Sequence, residues 1–226
     1  MELLSMLQMF QICDSLFPIG AFTLSNGLET FVSEGTIATE EQLEEYVNTF
    51  LGILPYNDLG VMMLAYKHAE QHSFIRELDN YYFALKNPRQ VREGSKKMCS
   101  RFLKIWDKMK DYEYLKRYAI SAGKQECQGI HGIAVGLYAK EIGFSMESAG
   151  AVYAYSLLSA IITNGVKLVP LSQIAGQKIL NRAIEKIEQA VKQAEQISME
   201  ELGVGGSQFD IAAMNHETLY SRLYMS

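Results

Sequence analysis

The chain has 226 residues, 48% of them hydrophobic, a formal net charge of −5 and only four prolines. That length and apolar share suit a single domain with a sizeable core and exclude a disordered chain, and the acidic balance argues against a general binder of nucleic acid. Three cysteines (Cys13, Cys99 and Cys127), odd in number, widely spaced and without a CxxC pair, exclude a disulfide framework or structural zinc site and fit a reducing compartment.

Taken in chain order, apolar spacing and capping signals predict helices near 2–13, 24–34, 40–71, 74–86, 88–110, 112–121, 125–142, 146–168, 173–197 and 211–224. The N-terminus lacks a basic n-region, so a secretory signal is not expected and the cytoplasm is. The loop Asp14-Ser15-Leu16-Phe17-Pro18-Ile19-Gly20 follows the first helix; Pro18 fixes φ there and Gly20 permits a close approach. Ser25 is a candidate cap for the second helix, with Glu29 one turn further on. Thr39-Glu40-Glu41-Gln42 has capping-box spacing, and Pro55 is expected to kink or split the long third helix. Ser73 is a candidate cap of the fourth helix, and Asn87-Pro88 reads as a cap followed by proline at the first helical position.

Within 88–110 the predicted apolar stripe is Val91, Met98, Phe102, Ile105 and Met109, with Lys97, Arg101, Lys104 and Lys108 in a row about 100° around the helix. Residues 86–117 carry eleven Lys or Arg against four Asp or Glu, a net of +7, which leaves −12 for the remainder. Such a row is either a solvated face or a dock for an acidic protein surface. Ala149 to Val166 contains no charged residue, but its Ser, Thr, Asn and Gly residues favour a core helix over a membrane span. Leu180, Ile184, Ile187, Val191 and Ala194 form the stripe of the next helix, with Glu188 and Lys192 paired outside it. Ser198 to Glu201 repeats the capping box, Gly203 to Ser207 reads as a flexible loop, and Asp210 is a candidate cap of the last helix. No strand-period segment occurs. The expected fold is all-α, a single compact bundle of about ten helices over 1–226.

Chemistry is sparse. The only Gly-Lys pair, Gly123-Lys124, is followed by glutamine and lacks the upstream glycine of a phosphate-binding loop; no GxGxxG or GxSxG occurs. His68 and His72 are four apart, so on one helix they form a weak candidate metal pair, against the reading of a solvated helix end. His131, among small residues, reads as a hydrogen-bonded core or interface histidine. His216 is placed on a shared face with Ala212, Leu219 and Leu223, where it either finds a buried partner or sits at a protein contact, with contact favoured. Tyr220, Arg222, Leu223 and Tyr224 are of types enriched in interface hot spots.

The stretches Asp14-Ser15-Leu16-Phe17-Pro18-Ile19-Gly20-Ala21-Phe22 and Ser25-Asn26-Gly27-Leu28-Glu29 closely resemble the N-terminal signature of the urease accessory protein family UreF. Arg92 to Met98, Val169-Pro170-Leu171 through Gly176-Gln177, and His216-Glu217 through Ser221-Arg222-Leu223 resemble it as well, in family order and over nearly the whole chain. The chain departs from the family pattern at Leu24, where an aromatic residue or histidine is usual, and at Ser172, where glycine is common. The resemblance implies an all-helical homodimer, no cofactor, and three partners: the accessory protein UreD (also called UreH), the GTPase UreG and apo-urease, to which the complex delivers nickel. The partner-binding residues expected are His216, Glu217, Tyr220, Arg222, Leu223, Tyr224, Lys97, Arg101, Lys104 and Glu29. The leading expectation is a non-enzymatic maturation adapter. The alternatives are an activator of UreG acting through Arg89, Arg92 or Arg101, and a nickel-binding chaperone using His68 and His72 or a site shared at a dimer interface.

Overall fold

The computed structural model describes residues 2–225, the side chain of Phe22 excepted, and contains eleven α-helices, four 3-10 turns and no strand among them. The helices are α1 (Glu2–Cys13), α2 (Leu28–Ser33), α3 (Glu40–Ile53), α4 (Asp58–Lys67), α5 (His72–Leu85), α6 (Arg89–Met109), α7 (Glu113–Gly123), α8 (His131–Glu141), α9 (Met146–Leu168), α10 (Gln173–Ala194) and α11 (Ser207–Asn215). The all-α expectation is met.

Two helices are apolar all round and therefore central. Residues Leu59 to Ala65 of α4 and His131 to Ala139 of α8 are all buried, and the two helices pack against each other. Their backbones touch: a Cβ on Gly136 would lie 2.1 Å from the Met62 carbonyl oxygen, so only glycine fits there. Helices α6, α7 and α9 surround α8, and α10 and α3 pack on α9. Among the described residues α9 alone is long and apolar enough to span a membrane, and its Tyr153, Leu158, Ile161 and Ile162 are buried in the core.

Several local expectations hold. Thr39 and Gln42 form the capping box of α3, and Pro55 sits in a 3-10 turn (Leu54–Tyr56) that splits α3 from α4. Helix α9 has the predicted limits, and Ser172, in place of glycine, caps α10 by accepting from the Ala175 N–H at 3.1 Å. The Ser198 capping box is present but heads only a 3-10 turn, Met199–Glu201.

Other expectations are corrected. The second helix is shorter than 24–34: Ala21–Thr23 is a 3-10 turn, and α2 starts after Gly27, in the left-handed region, so Gly27 holds the cap position, while the Ser25 hydroxyl accepts the first-turn N–H of Glu29 at 3.5 Å. Helix α5 starts at His72 after Gln71 and owes nothing to Ser73; Pro88, not Asn87, precedes the first residue of α6. The segment 125–130 is not helical, because the buried Asp79 carboxylate accepts the N–H groups of Gln128, Gly129 and Ile130 at 2.5–3.1 Å and fixes them ahead of α8. Glu195 to Ile197 lies beyond the end of α10. The buried face of α6 is Gly94, Ser95, Cys99, Phe102, Leu103 and Trp106; Met109 is 57% exposed, so the predicted stripe is rotated. Phe102 and Trp106 anchor this face in an aromatic cluster with Tyr138, Phe102 edge-on to it and Trp106 tilted by 30°. In α10, Ile184 faces out while its stripe neighbours are buried.

The glycine contact gives a signed prediction. Gly136→Ala is expected to destabilise the fold by roughly 3 kcal/mol, since overpacking against backbone cannot relax cheaply. Gly52→Ala, on α3 with nothing within 4 Å of the added Cβ, is expected to gain roughly 0.5–1 kcal/mol. Urea unfolding of both variants checks this. Equal effects at the two sites would show that α4 and α8 do not meet backbone to backbone.

Candidate partner-docking surface

Near its end the chain departs most from expectation. The predicted helix 211–224 is two pieces: α11 begins at Ser207 after Gly206 and ends at Asn215, a 3-10 turn covers His216–Thr218, and the chain then leaves helical geometry. Asp210 lies in the first turn of α11 and is not its cap; its carboxylate accepts from the Asn87 side chain. His216 therefore shares no helix face with Leu219 or Leu223.

The cause is Glu29, the second residue of α2, whose carboxylate is buried. It accepts the N–H of Leu223 at 2.6 Å, the N–H of Tyr224 at 3.1 Å and the His216 Nε2 at 2.7 Å. Those backbone donors are thereby withdrawn from helical bonding. Thr30 on the same helix donates to the Ala212 carbonyl at 2.7 Å, and the Met225 N–H reaches the Thr23 carbonyl at 2.8 Å. Gly27 explains the close crossing of α2 and α11. It has φ +83, and a Cβ there would meet the Ala212 Cβ at 2.9 Å. Phe209 seals the junction against Phe31, Tyr46 and Phe50.

His216 is fully buried, so the reading with a buried partner holds rather than direct surface contact. On its other side stands Gln90. With the Gln90 amide nitrogen toward His216 Nδ1 and the Met225 carbonyl, and its oxygen toward Arg222, all three contacts are satisfied. His216 Nδ1 then accepts, and Nε2–H donates to Glu29. The nearby Arg89 pairs with Glu217 at 2.7 Å.

Of the tail side chains, Tyr220 and Leu223 point away from this junction. Tyr220 is fully exposed and Leu223 is 75% exposed; Arg222 is also exposed, while Tyr224 and Glu217 are half-buried. Lys97, Arg101, Lys104 and Lys108 all lie on the exposed face of α6. At 100° per residue, Gln90 falls in the same stripe, about 60° wide in all. The sequence reading missed Gln90 as the residue joining tail and basic row; its position seven residues before Lys97 was the available signal. Arg101 also crosses Gly20 and donates to the Ile19 carbonyl at 2.9 Å, tying the N-terminal loop to this helix. Arg92 is likewise engaged, donating to the Lys86 carbonyl at 2.7 Å.

The two histidines of the weak metal pair do not share a helix. His68 ends α4 and His72 begins α5, separated by a turn, because the Gln71 N–H bonds the His68 carbonyl and closes off the helix. His68 lies over the Phe74 ring, and His72 Nε2 is 2.9 Å from Ser121 Oγ. No group of three or more His, Cys, Asp or Glu suited to a metal ion occurs among the described residues. Burial pushes the Cys13 and Cys127 thiols up to about 12 and Cys99 well up, so none is a ready thiolate.

A cavity of about 520 Å³ lies between α1, α6, α8 and α9. The Asp58–Lys86 ion pair (3.1 Å) and His131 line it, and His131 Nε2 is buried without a partner. Burial pushes the His131 imidazole down to about 4, against a weaker opposing pull from Asp58.

These features define a class: an all-helical protein with a pinned C-terminal tail beside one basic helix face. Comparison with known proteins narrows the class. The UreF family model matches residues 37–184. The chain is 37% identical over 223 residues to the urease accessory protein UreF of Actinobacillus pleuropneumoniae serotype 5b (strain L20), covering 96% of this chain and 97% of that one. It is 38% identical over 221 residues to that of Haemophilus influenzae (strain PittGG), covering 96% and 94%. With that of Bacillus sp. (strain TB-90) it shares 30% over 224 residues, covering 98% and 99%. The chain belongs to the UreF family of urease accessory proteins.

His131 gives a prediction with a definite sign. The unfolded chain binds a proton near pH 6.5, and the folded one only near 4. Stability from this group is complete above 6.5 and is lost as pH falls toward 4. His131→Phe removes that dependence. Between pH 7 and pH 5 the wild type is expected to lose roughly 2 kcal/mol more than the variant, measured by denaturant unfolding at each pH. Parallel losses would place His131 in contact with water or with a proton acceptor.

Proposed function

We propose that this chain is a non-catalytic adapter in urease maturation. It joins a UreD-type (UreH) accessory protein and a UreG-type GTPase in the assembly of the nickel centre of apo-urease, as a homodimer in the cytoplasm. Nickel is the cargo of that machine, and the nucleotide site belongs to the GTPase. Family membership supports the urease context. The observation that carries the adapter reading is the tail, whose backbone is pinned inward while Tyr220 and Leu223 point outward. Exposed aromatic and aliphatic side chains on an ordered backbone cost little entropy to dock. The adjacent row Lys97, Arg101, Lys104 and Lys108 supplies charge for an acidic surface, which speeds encounter and sets register. The tail is assigned to the UreD-type partner.

A second reading has one observation in its favour. Of the three arginines considered for GTPase activation, Arg92 and Arg101 are committed to carbonyls of their own chain, whereas the Arg89 side chain is 69% exposed and pairs with Glu217. Arg89 is the arginine that can reach another protein's nucleotide site.

Two experiments test these readings. Truncation after Thr218 leaves α11 and His216 intact and is expected to abolish co-purification with the UreD-type partner; unchanged recovery would end the tail-docking assignment. Arg89→Ala, assayed for GTP hydrolysis by the UreG-type partner within the assembled complex, is expected to leave the rate within about twofold. A loss on the scale of an arginine finger, about 10³-fold or more, would favour the activator reading instead.

A further inference from the structure

We propose that Glu29 and His216 are positioning residues for partner docking: they do not touch the partner but hold the tail in the path that presents Tyr220 and Leu223. The inference rests on the tail-docking reading above and adds what controls it. The Glu29 side chain is 7% exposed. Its partners are His216 Nε2 and the N–H groups of Leu223 and Tyr224. A buried carboxylate stripped of donors is costly, so the tail is held as a unit rather than frayed residue by residue. The His216 ring is in turn bridged by Gln90 to α6, at the head of the basic row, so the same clasp sets tail and row in register. Because Glu29 grips backbone at 223 and 224, the Leu223 side chain remains free to face outward.

Glu29→Gln is isosteric but turns one acceptor oxygen into a donor facing donors. His216→Ala removes the ring; His216→Gln keeps an N–H near the Nε2 position. The first measurement is release of Leu223–Ser226 by trypsin at the Arg222–Leu223 bond, followed by intact mass on the full chain. That bond's nitrogen is held by Glu29, so cleavage requires the tail to leave its seat. Glu29→Gln and His216→Ala are expected to be cleaved about tenfold faster than wild type, with His216→Gln closer to wild type. A thermal melt of each variant reports whether the body of the fold is intact. The second measurement is affinity for the UreD-type partner, with the Thr218 truncation as reference. Glu29→Gln is expected to weaken binding by about tenfold or more, and His216→Gln to restore most of the loss caused by His216→Ala.

The outcomes separate. Unchanged cleavage in Glu29→Gln overturns the clasp, whatever the partner does. A truncation that weakens binding while Glu29→Gln does not overturns the positioning role and leaves tail docking standing. A truncation that binds normally overturns tail docking, and with it the partner half of this proposal, while faster cleavage in Glu29→Gln would still establish the clasp.

Discussion

The direct meeting of two helix backbones sets the frame for everything outside it. Helix α8 lies on α4 with Gly136 against the Met62 carbonyl, leaving no side chain to cushion the contact. Such packing tolerates little sliding, because the glycine must stay opposite one carbonyl. The start of α8 is fixed independently by Asp79, which accepts three N–H groups just ahead of it and a hydrogen bond from the Tyr118 hydroxyl. Burial pushes the Asp79 carboxyl up, but these four donors oppose the shift and stabilise its charged form. One end of α8 is thus held by charge and its middle by shape.

That frame places the outer face. Helix α6 packs on α8 through Cys99, Phe102 and Trp106, and those inward residues decide which residues of α6 face out. Lys97, Arg101, Lys104 and Lys108 are exposed because the aromatic contacts with Tyr138 turn the opposite side inward. The basic row is therefore a consequence of core packing as much as of local charge. Arg101 then uses its position to hold the N-terminal loop at the Ile19 carbonyl.

Long helices were legible in the sequence because their signals are local. The limits of α9, the Thr39 capping box and the break at Pro55 each depend on residues within one or two turns. The errors fall where the deciding group is distant in sequence. Residues 125–130 and 216–224 both have helix-compatible spacing, yet Asp79 and Glu29 capture their backbone donors from about 50 and 190 residues away. The rotated stripe of α6 is a related case: Val91, Met98 and Ile105 are apolar and half-buried, but Ser95 and Gly94 lie on the buried face because α8 and Leu24 approach there. Pattern reading ranks residues by polarity, whereas close packing ranks them by size. The basic row was readable for the same reason the long helices were, and its junction with the tail was not, since Gln90 carries no charge to mark it.

Three of the stretches by which the sequence resembles its family meet once folded. Ser25 to Glu29 supplies the junction glycine and the carboxylate, Gly94 of the next stretch receives Leu24, and His216 to Leu223 supplies the ring and the backbone donors. Only one of these groups, the carboxylate, is expensive to bury, and it is satisfied largely by main-chain N–H groups. Main-chain donors are present in every residue but proline. Holding the tail by its backbone therefore leaves the exposed Leu223 side chain out of the grip. Fixing the path through backbone and leaving the side chains outside divides the work: the buried groups determine where the tail runs, and the exposed ones remain available to determine what it meets.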